Sequence, residues 1–237
     1  AADPLRRMAL EHVTMHIPAG SFAALVGPSG GGKSTAGQLL ARFWDVESGS
    51  ISIGGKDIRD YSTKALMNTV AFVFQDTYIF AESVYDNIAM HQNVTQEAVE
   101  YAAKAARCHD FIQALPKGYH TKLGDGGHKL SGGEAQRIAI ARAILKNTPI
   151  VVLDEAMAFT DAENELALRE GMAELLKGKT VLMIAHRLKT VRKADQILVL
   201  DKGRIVQRGT HAELAGQPGL YRDFLDARKE AAGWKLA

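Results

Sequence analysis

Apolar residues along this chain change their spacing repeatedly, and each spacing predicts a different element. Val13, Met15 and Ile17 alternate with Thr14 and His16, the period of a half-exposed strand. Phe22 to Val26 is a short unbroken apolar run suited to a buried strand. A helical pattern from Ser34 to Phe43 follows a glycine-rich stretch. Ile51 to Ile53 and Lys56 to Ile58, joined by Gly54-Gly55, predict a hairpin, and Val70 to Phe74 predicts another buried strand. The text then becomes Ala-rich and helical from Thr95, an expected N-cap, to about Leu115, and helical again from Glu134 to Lys146. Strands resume at Ile150 to Leu153, Val181 to Ala185 and Ile197 to Leu200. Asp201-Lys202-Gly203 turns the last of these into Arg204 to Gln207, and Leu220 to Glu230 reads as a closing amphipathic helix. Strands alternating with helices imply an α/β architecture on parallel strands, with a helical lobe in the middle of the chain.

Composition narrows the function classes. The 237 residues are 46% hydrophobic and 24% charged, so a packed globular fold is expected. A formal net charge of +2, with Lys and Arg spread along the chain, gives no footprint for nucleic acid. The single cysteine, Cys108, cannot form an internal disulfide. No run of about 18 apolar residues occurs, so any membrane role is expected to come through a partner.

Three motifs carry chemistry. GPSGGGKST, Gly27 to Thr35, lies between an apolar strand and a helix and fits the phosphate-loop pattern. Glycines let backbone N–H groups curl around phosphate oxygens, and the helix adds its N-terminal partial charge. Gly27, Pro28, Ser29, Gly30, Gly31, Gly32, Lys33, Ser34 and Thr35 are therefore the candidate ATP-binding residues. Lys33 supplies a full charge to the β- and γ-phosphates, and the Ser34 hydroxyl can ligate Mg²⁺. IVVLDE, Ile150 to Glu155, carries two carboxylates to a strand end on opposite faces, Asp154 for Mg²⁺ and Glu155 to polarise the attacking water. LSGGE, Leu130 to Glu134, opens a helix. Ser131 and Glu134 have capping-box spacing, and two further glycines expose N–H groups where a second anion can sit.

The run LSGGEAQRIAIARAIL resembles the signature segment of ABC ATPases, and the likeness extends from about Leu10 to Leu225. It implies a P-loop NTPase fold: a mainly parallel sheet flanked by helices, an N-terminal antiparallel β region and a helical signature subdomain. One cassette of residues 1–237 is expected, with a core lobe of about 1–76 and 148–237 and a helical lobe of about 77–147. The resemblance implies that Ser131, Gly132, Gly133, Glu134 and Asp161 meet the ATP of a partner cassette, so that hydrolysis requires a dimer. It adds Gln75, at the end of Val70 to Phe74, as a sensor of Mg²⁺ and the attacking water, and His186 in MIAHRL as the switch histidine on the γ-phosphate. The catalytic set is then Glu155, His186, Gln75 and Lys33, and the Mg²⁺ set Ser34, Gln75 and Asp154.

TKLGDGGHKLSGGE and QDTYIFAESVYDNI resemble the exporter-fold branch, where one chain carries membrane helices and ATPase. That implies a cassette at the cytoplasmic face of a membrane, with a transmembrane domain expected before Ala1. DEAMAFTDAENE resembles a subgroup that handles siderophores, which would make the cargo a siderophore. Two departures stand out. Glu134 replaces the commoner glutamine, and no aromatic residue precedes Phe22, so the adenine-stacking side chain is expected before Ala1. A soluble ABC-type ATPase of DNA repair or translation is the alternative, but neither long heptad runs nor a second phosphate loop is present. A kinase would leave LSGGE and His186 without a role.

Overall fold

The structure is a computed structural model and describes residues 9–74, 76–154, 162–185 and 191–233. In chain order the elements are β1 (Phe22–Val26), α1 (Lys33–Leu40), β2 (Ser52–Ile53), β3 (Lys56–Asp57), α2 (Thr63–Thr69), β4 (Val70–Val73), α3 (Val84–Ala89), α4 (Gln96–Ala105), α5 (His109–Gln113), α6 (Gly132–Lys146), β5 (Ile150–Asp154), α7 (Ala162–Leu176), β6 (Thr180–Ile184), β7 (Gln196–Asp201), β8 (Arg204–Gly209), α8 (His211–Gly216) and α9 (Leu220–Gly233). They divide into two compact units, one of residues 1–66 and 180–237 and one of residues 67–179.

In the first unit the strand order is β6-β1-β7-β8. β1 pairs in parallel with β6 and with β7, whereas β8 returns antiparallel to β7. Ala24, Leu25, Ile197, Leu198, Val199 and Leu200 have no exposed surface, as expected of strands covered on both faces. The β7–β8 turn places Lys202 and Gly203 at φ 48 and 76, the pair of positive angles that a two-residue hairpin of this twist requires. β2 and β3 form the small antiparallel hairpin. Residues 13–17 show alternating exposure but form no strand among the described residues. The expected early strand is thus corrected: a period of two sets which side chains turn inward, but a ladder also needs a neighbour.

α1 ends at Leu40, short of the expected Phe43, because Arg42 turns left-handed at φ 56. Its guanidinium donates to the carbonyl oxygens of Arg59 and Tyr61 at 3.2 Å each and joins Asp45 at 3.0 Å. Those bonds reward the break in the helix and fix the chain that follows β3.

In the second unit β4 and β5 pair in parallel, and α6 packs on β4. α6 runs from its Ser131 cap to Asn147, which ends it in the left-handed conformation at φ 48. Ile138, Ile140 and Ala141 of α6 are buried with Val99, Ala102 and Ala103 of α4 and with Leu168 of α7. Burying a side chain the size of leucine or isoleucine contributes roughly 1.5–3 kcal/mol, so these rows add substantially to the unit's stability. The single helix expected from Thr95 to Leu115 is two. Thr95 caps α4 as expected, but Arg107 turns left-handed at φ 57 and α5 begins after Cys108. The break has a packing cause. A Cβ on Gly171 of α7 would stand 3.0 Å from the carbonyl oxygen of Ala106, so the two backbones touch, and Arg107 pairs with Glu170 at 2.8 Å.

Candidate functional site

β1 runs directly into the glycine loop. Gly27 has φ 151, and a Cβ there would lie 1.9 Å from the carbonyl oxygen of Leu200. Any side chain would therefore push the loop off β7. Gly32 sits at φ 101 as the N-cap of α1, with a would-be Cβ 2.5 Å from the carbonyl oxygen of Ala9. Backbone bonds stitch the loop in place: Gly31 N–H donates to Pro28 at 3.2 Å, Gly203 N–H donates to Gly31 at 3.1 Å, and Glu11 N–H donates to Gly203 at 2.8 Å.

Lys33 is only 4% exposed, and its Nζ donates to the carbonyl oxygens of Gly27 at 3.0 Å and Pro28 at 2.9 Å. The ammonium is thus curled into the mouth of its own loop. Ser34 is exposed and Thr35 half-buried on the first turn of α1, while Ser29 and Gly30 are exposed at the tip. α1 starts without a side-chain cap and without an acid in its first turn. By contrast α3, α4, α6 and α8 are each capped by a Ser or Thr side chain. An uncapped helix start, a glycine loop pressed against the Leu200 carbonyl and a buried cation together suit a chain of phosphates. Ser34 adds a hard oxygen donor of the kind Mg²⁺ takes.

The second unit holds the other residues that the sequence singles out. Asp154, half-buried, closes β5. Ser131 is exposed and caps α6 with the reciprocal bonds that its spacing predicts. Its N–H donates to Glu134 Oε2 at 2.8 Å, and its Oγ accepts from Glu134 N–H at 3.3 Å. The two glycines differ. A Cβ on Gly132 would meet nothing within 4 Å, but on Gly133 it would stand 3.1 Å from Cγ of Asn164. Asn164 Oδ1 accepts from Arg137 Nη1 at 2.6 Å, and the Arg137 guanidinium lies 5.2 Å from the centre of the Phe111 ring. Nearby, burial pushes the Cys108 thiol up to about 12, although the Arg137 charge pulls it down.

A polar hub orders the segment ahead of α3. Asn87 is fully buried; its Nδ2 donates to Phe80 and Ser83 carbonyls at 3.0 Å, and its Oδ1 accepts from Phe80 N–H at 2.9 Å. Arg142 of α6 donates to Asn87 and, at 2.7 Å, to the carbonyl oxygen of Tyr78. Burial alone pulls the Arg142 guanidinium down to about 10.

The structure thus gathers Gly27 to Thr35 at one helix start and Ser131 to Glu134 at another. Gln75, Glu155, Asp161 and His186 lie outside the described residues. Sequence reasoning did not find Asn164, Arg137, Asn87 or Arg142, because nothing in their spacing marks them; only the packing of other elements gives them partners.

Comparison with known proteins agrees with this geometry. The family model "ABC transporter" matches residues 10–158. The ATP-dependent lipid A-core flippase of Vibrio cholerae serotype O1 is 47% identical over 215 residues, 90% of this chain and 37% of its own length. The flippase of that name from Yersinia pestis is 49% identical over the same shares. A solved structure of a bacterial Atm1-family ABC exporter with ATP bound superposes with a TM-score of 0.88 at 41% identity, over 96% of this chain and 40% of that one. The chain spans less than half the length of each of these relatives.

Proposed function

Because this chain belongs to the ABC transporter family, we propose that it is the ATP-hydrolysing engine of a membrane exporter. Two cassettes close head to tail around two ATP molecules and drive membrane helices, fused to this chain or carried by a partner. Supporting this above all is the pairing in one chain of an uncapped, lysine-bearing glycine cradle with a second glycine-bearing helix start at Ser131.

The phosphate chain lies in the loop Gly27 to Thr35, with loop and helix-start N–H groups on its oxygens and Lys33 swung from its two carbonyl partners onto the β- and γ-phosphates. Ser34, Asp154 and Gln75 would hold Mg²⁺, whose charge offsets that developing on the phosphate oxygens. Ser131, Gly132, Gly133 and Glu134 of the facing cassette, with Asp161, complete the site. Glu155 orients the attacking water, Gln75 senses it, and His186 contacts the γ-phosphate. Closure is the power stroke, and product release reopens the pair.

No helix among the described residues is long and apolar enough to cross a membrane, so work on a membrane passes through other helices. The relatives' names speak of lipid A-core rather than siderophores, which supports a lipid cargo, and a cassette that drives membrane helices with ATP would work at the cytoplasmic face of the membrane.

The test is the dependence of ATP turnover on protein concentration. Turnover per chain rises with concentration as dimers form, and sedimentation shows an ATP-dependent dimer. Turnover per chain that stays constant from dilute to concentrated protein, with no such dimer, would reject the reading.

A further inference from the structure

We propose that Asn164 is a positioning residue for the turn that meets the partner's γ-phosphate, tying the start of α6 to the start of α7. The inference rests on the role proposed above for Ser131 and Gly133.

Gly133 carries no positive φ, so backbone conformation does not explain the missing side chain. Its neighbour does. A Cβ at Gly133 would stand 3.1, 3.2 and 3.3 Å from Cγ, Oδ1 and Cβ of Asn164, closer than most real Cβ contacts. Gly132, by contrast, opposes open space. One glycine thus leaves the approach to the turn clear, and the next lets α7 press a polar side chain against it.

The wedge is locked from the far side. Arg137 follows Gly133 by four positions and lies on the same face of α6. Its Nη1 donates to Asn164 Oδ1 at 2.6 Å, so a single amide spans the first turns of α6. Arg137 is only 7% exposed, and among the described residues its Nε has no hydrogen-bond partner and its guanidinium makes no ion pair. A buried guanidinium held mainly by one amide oxygen and one aromatic ring depends strongly on that oxygen. Arg137 therefore keeps Asn164 in place, and Asn164 keeps Gly133 in place.

α7 begins at Ala162, directly after Asp161 in sequence. Both segments proposed to face the partner are then connected to one rigid contact, and tilt of α6 relative to α7 would misdirect the N–H groups of the turn. Reactions that depend on aimed donors lose heavily from shifts of this kind.

The experiment uses the chain carrying Glu155→Gln, expected to hold ATP with turnover slowed about 10²- to 10⁴-fold. ATP-driven dimerisation is measured by sedimentation velocity, and monomer affinity for a fluorescent ATP analogue by titration. Asn164→Ala weakens dimerisation about tenfold, while monomer affinity is unchanged. Gly133→Ala also weakens dimerisation, and the double variant Gly133→Ala with Asn164→Ala is no weaker than Gly133→Ala alone, because both lesions break one contact. Asn164→Asp, which keeps outline and acceptor, restores dimerisation and covers the case in which the alanine variant folds poorly. Dimerisation unchanged in Asn164→Ala, fully additive losses, or an Asp variant as weak as the Ala variant would each overturn the proposal. A Glu155→Gln parent that fails to dimerise with ATP would remove the underlying role of Ser131 and Gly133 instead, and the proposal with it.

Discussion

The Lys33 ammonium lies 3.0 Å from the carbonyl oxygen of Gly27, so the loop's cation is parked across the opening that its own backbone frames. An incoming phosphate chain offers charged acceptors in place of neutral carbonyls, and charge-assisted bonds are the stronger. Lys33→Ala is expected to weaken ATP binding about 30-fold or more, because the phosphates then enter a polar cradle without their counter-charge. Titration with a fluorescent nucleotide measures it. ATP affinity unchanged in the variant would remove Lys33 from the site.

Glu155→Gln should separate binding from chemistry. The amide keeps the side chain's size but cannot act as a base, so turnover falls about 10²- to 10⁴-fold while ATP still binds and dimers still form. A phosphate-release assay alongside sedimentation reads both. Full turnover by this variant would reassign the water-orienting role.

Gly27→Ala tests the loop's shape apart from its charge. The new methyl would stand 1.9 Å from the Leu200 carbonyl oxygen, at a φ that side chains rarely adopt, so β1 or β7 must give way. The expected cost is about 2 kcal/mol or more in folding stability, read by urea unfolding. An unchanged midpoint would mean that the loop does not rest on β7.

Arg142→Ala removes the donor that joins α6 to Asn87 and Tyr78. The fully buried Asn87 loses its charged donor, for an expected loss of about 2–4 kcal/mol. Arg142→Lys recovers little, since one ammonium cannot reproduce a planar fork on spread acceptors. Faster hydrogen exchange in the segment Tyr78 to Ser83 accompanies the loss. Wild-type exchange in both variants would contradict the hub.

Cys108 gives a pH dependence with a definite sign. Burial lifts its thiol from 9.0 to about 12, so above pH 9.0 the unfolded chain gives up a proton that the native chain keeps. Stability from this group therefore falls as pH rises from 9.0 toward 12, and Cys108→Ala removes that part of the decline. Thiol reagents label the native protein slowly and the unfolded protein at once. Rapid native labelling at pH 8 would show that the thiol is accessible.

Much of this molecule was legible in its sequence, and the legible parts share a cause. Phe22–Val26 and Gln196–Asp201 are covered on both faces, so unbroken apolar runs declare them, and Ser131 with Glu134 forms a cap whose geometry is local. Failures came where a distant partner decides. The Ala-rich run breaks at Arg107 because Gly171 admits the Ala106 backbone, and residues 13–17 alternate without forming a ladder. Likewise Asn164 looks in sequence like an ordinary polar residue at an acidic helix start. In sequence the glycine at position 133 raises the expectation of an anion site, but it says nothing of the amide pressed against it.

Ser131 joins the cap of α6 as an acceptor, its oxygen taking the Glu134 N–H. Accepting uses a lone pair and leaves the hydroxyl hydrogen to rotate. The same oxygen can hold the end of a helix and offer its proton to a visiting anion, so repeated docking and release require no unwinding.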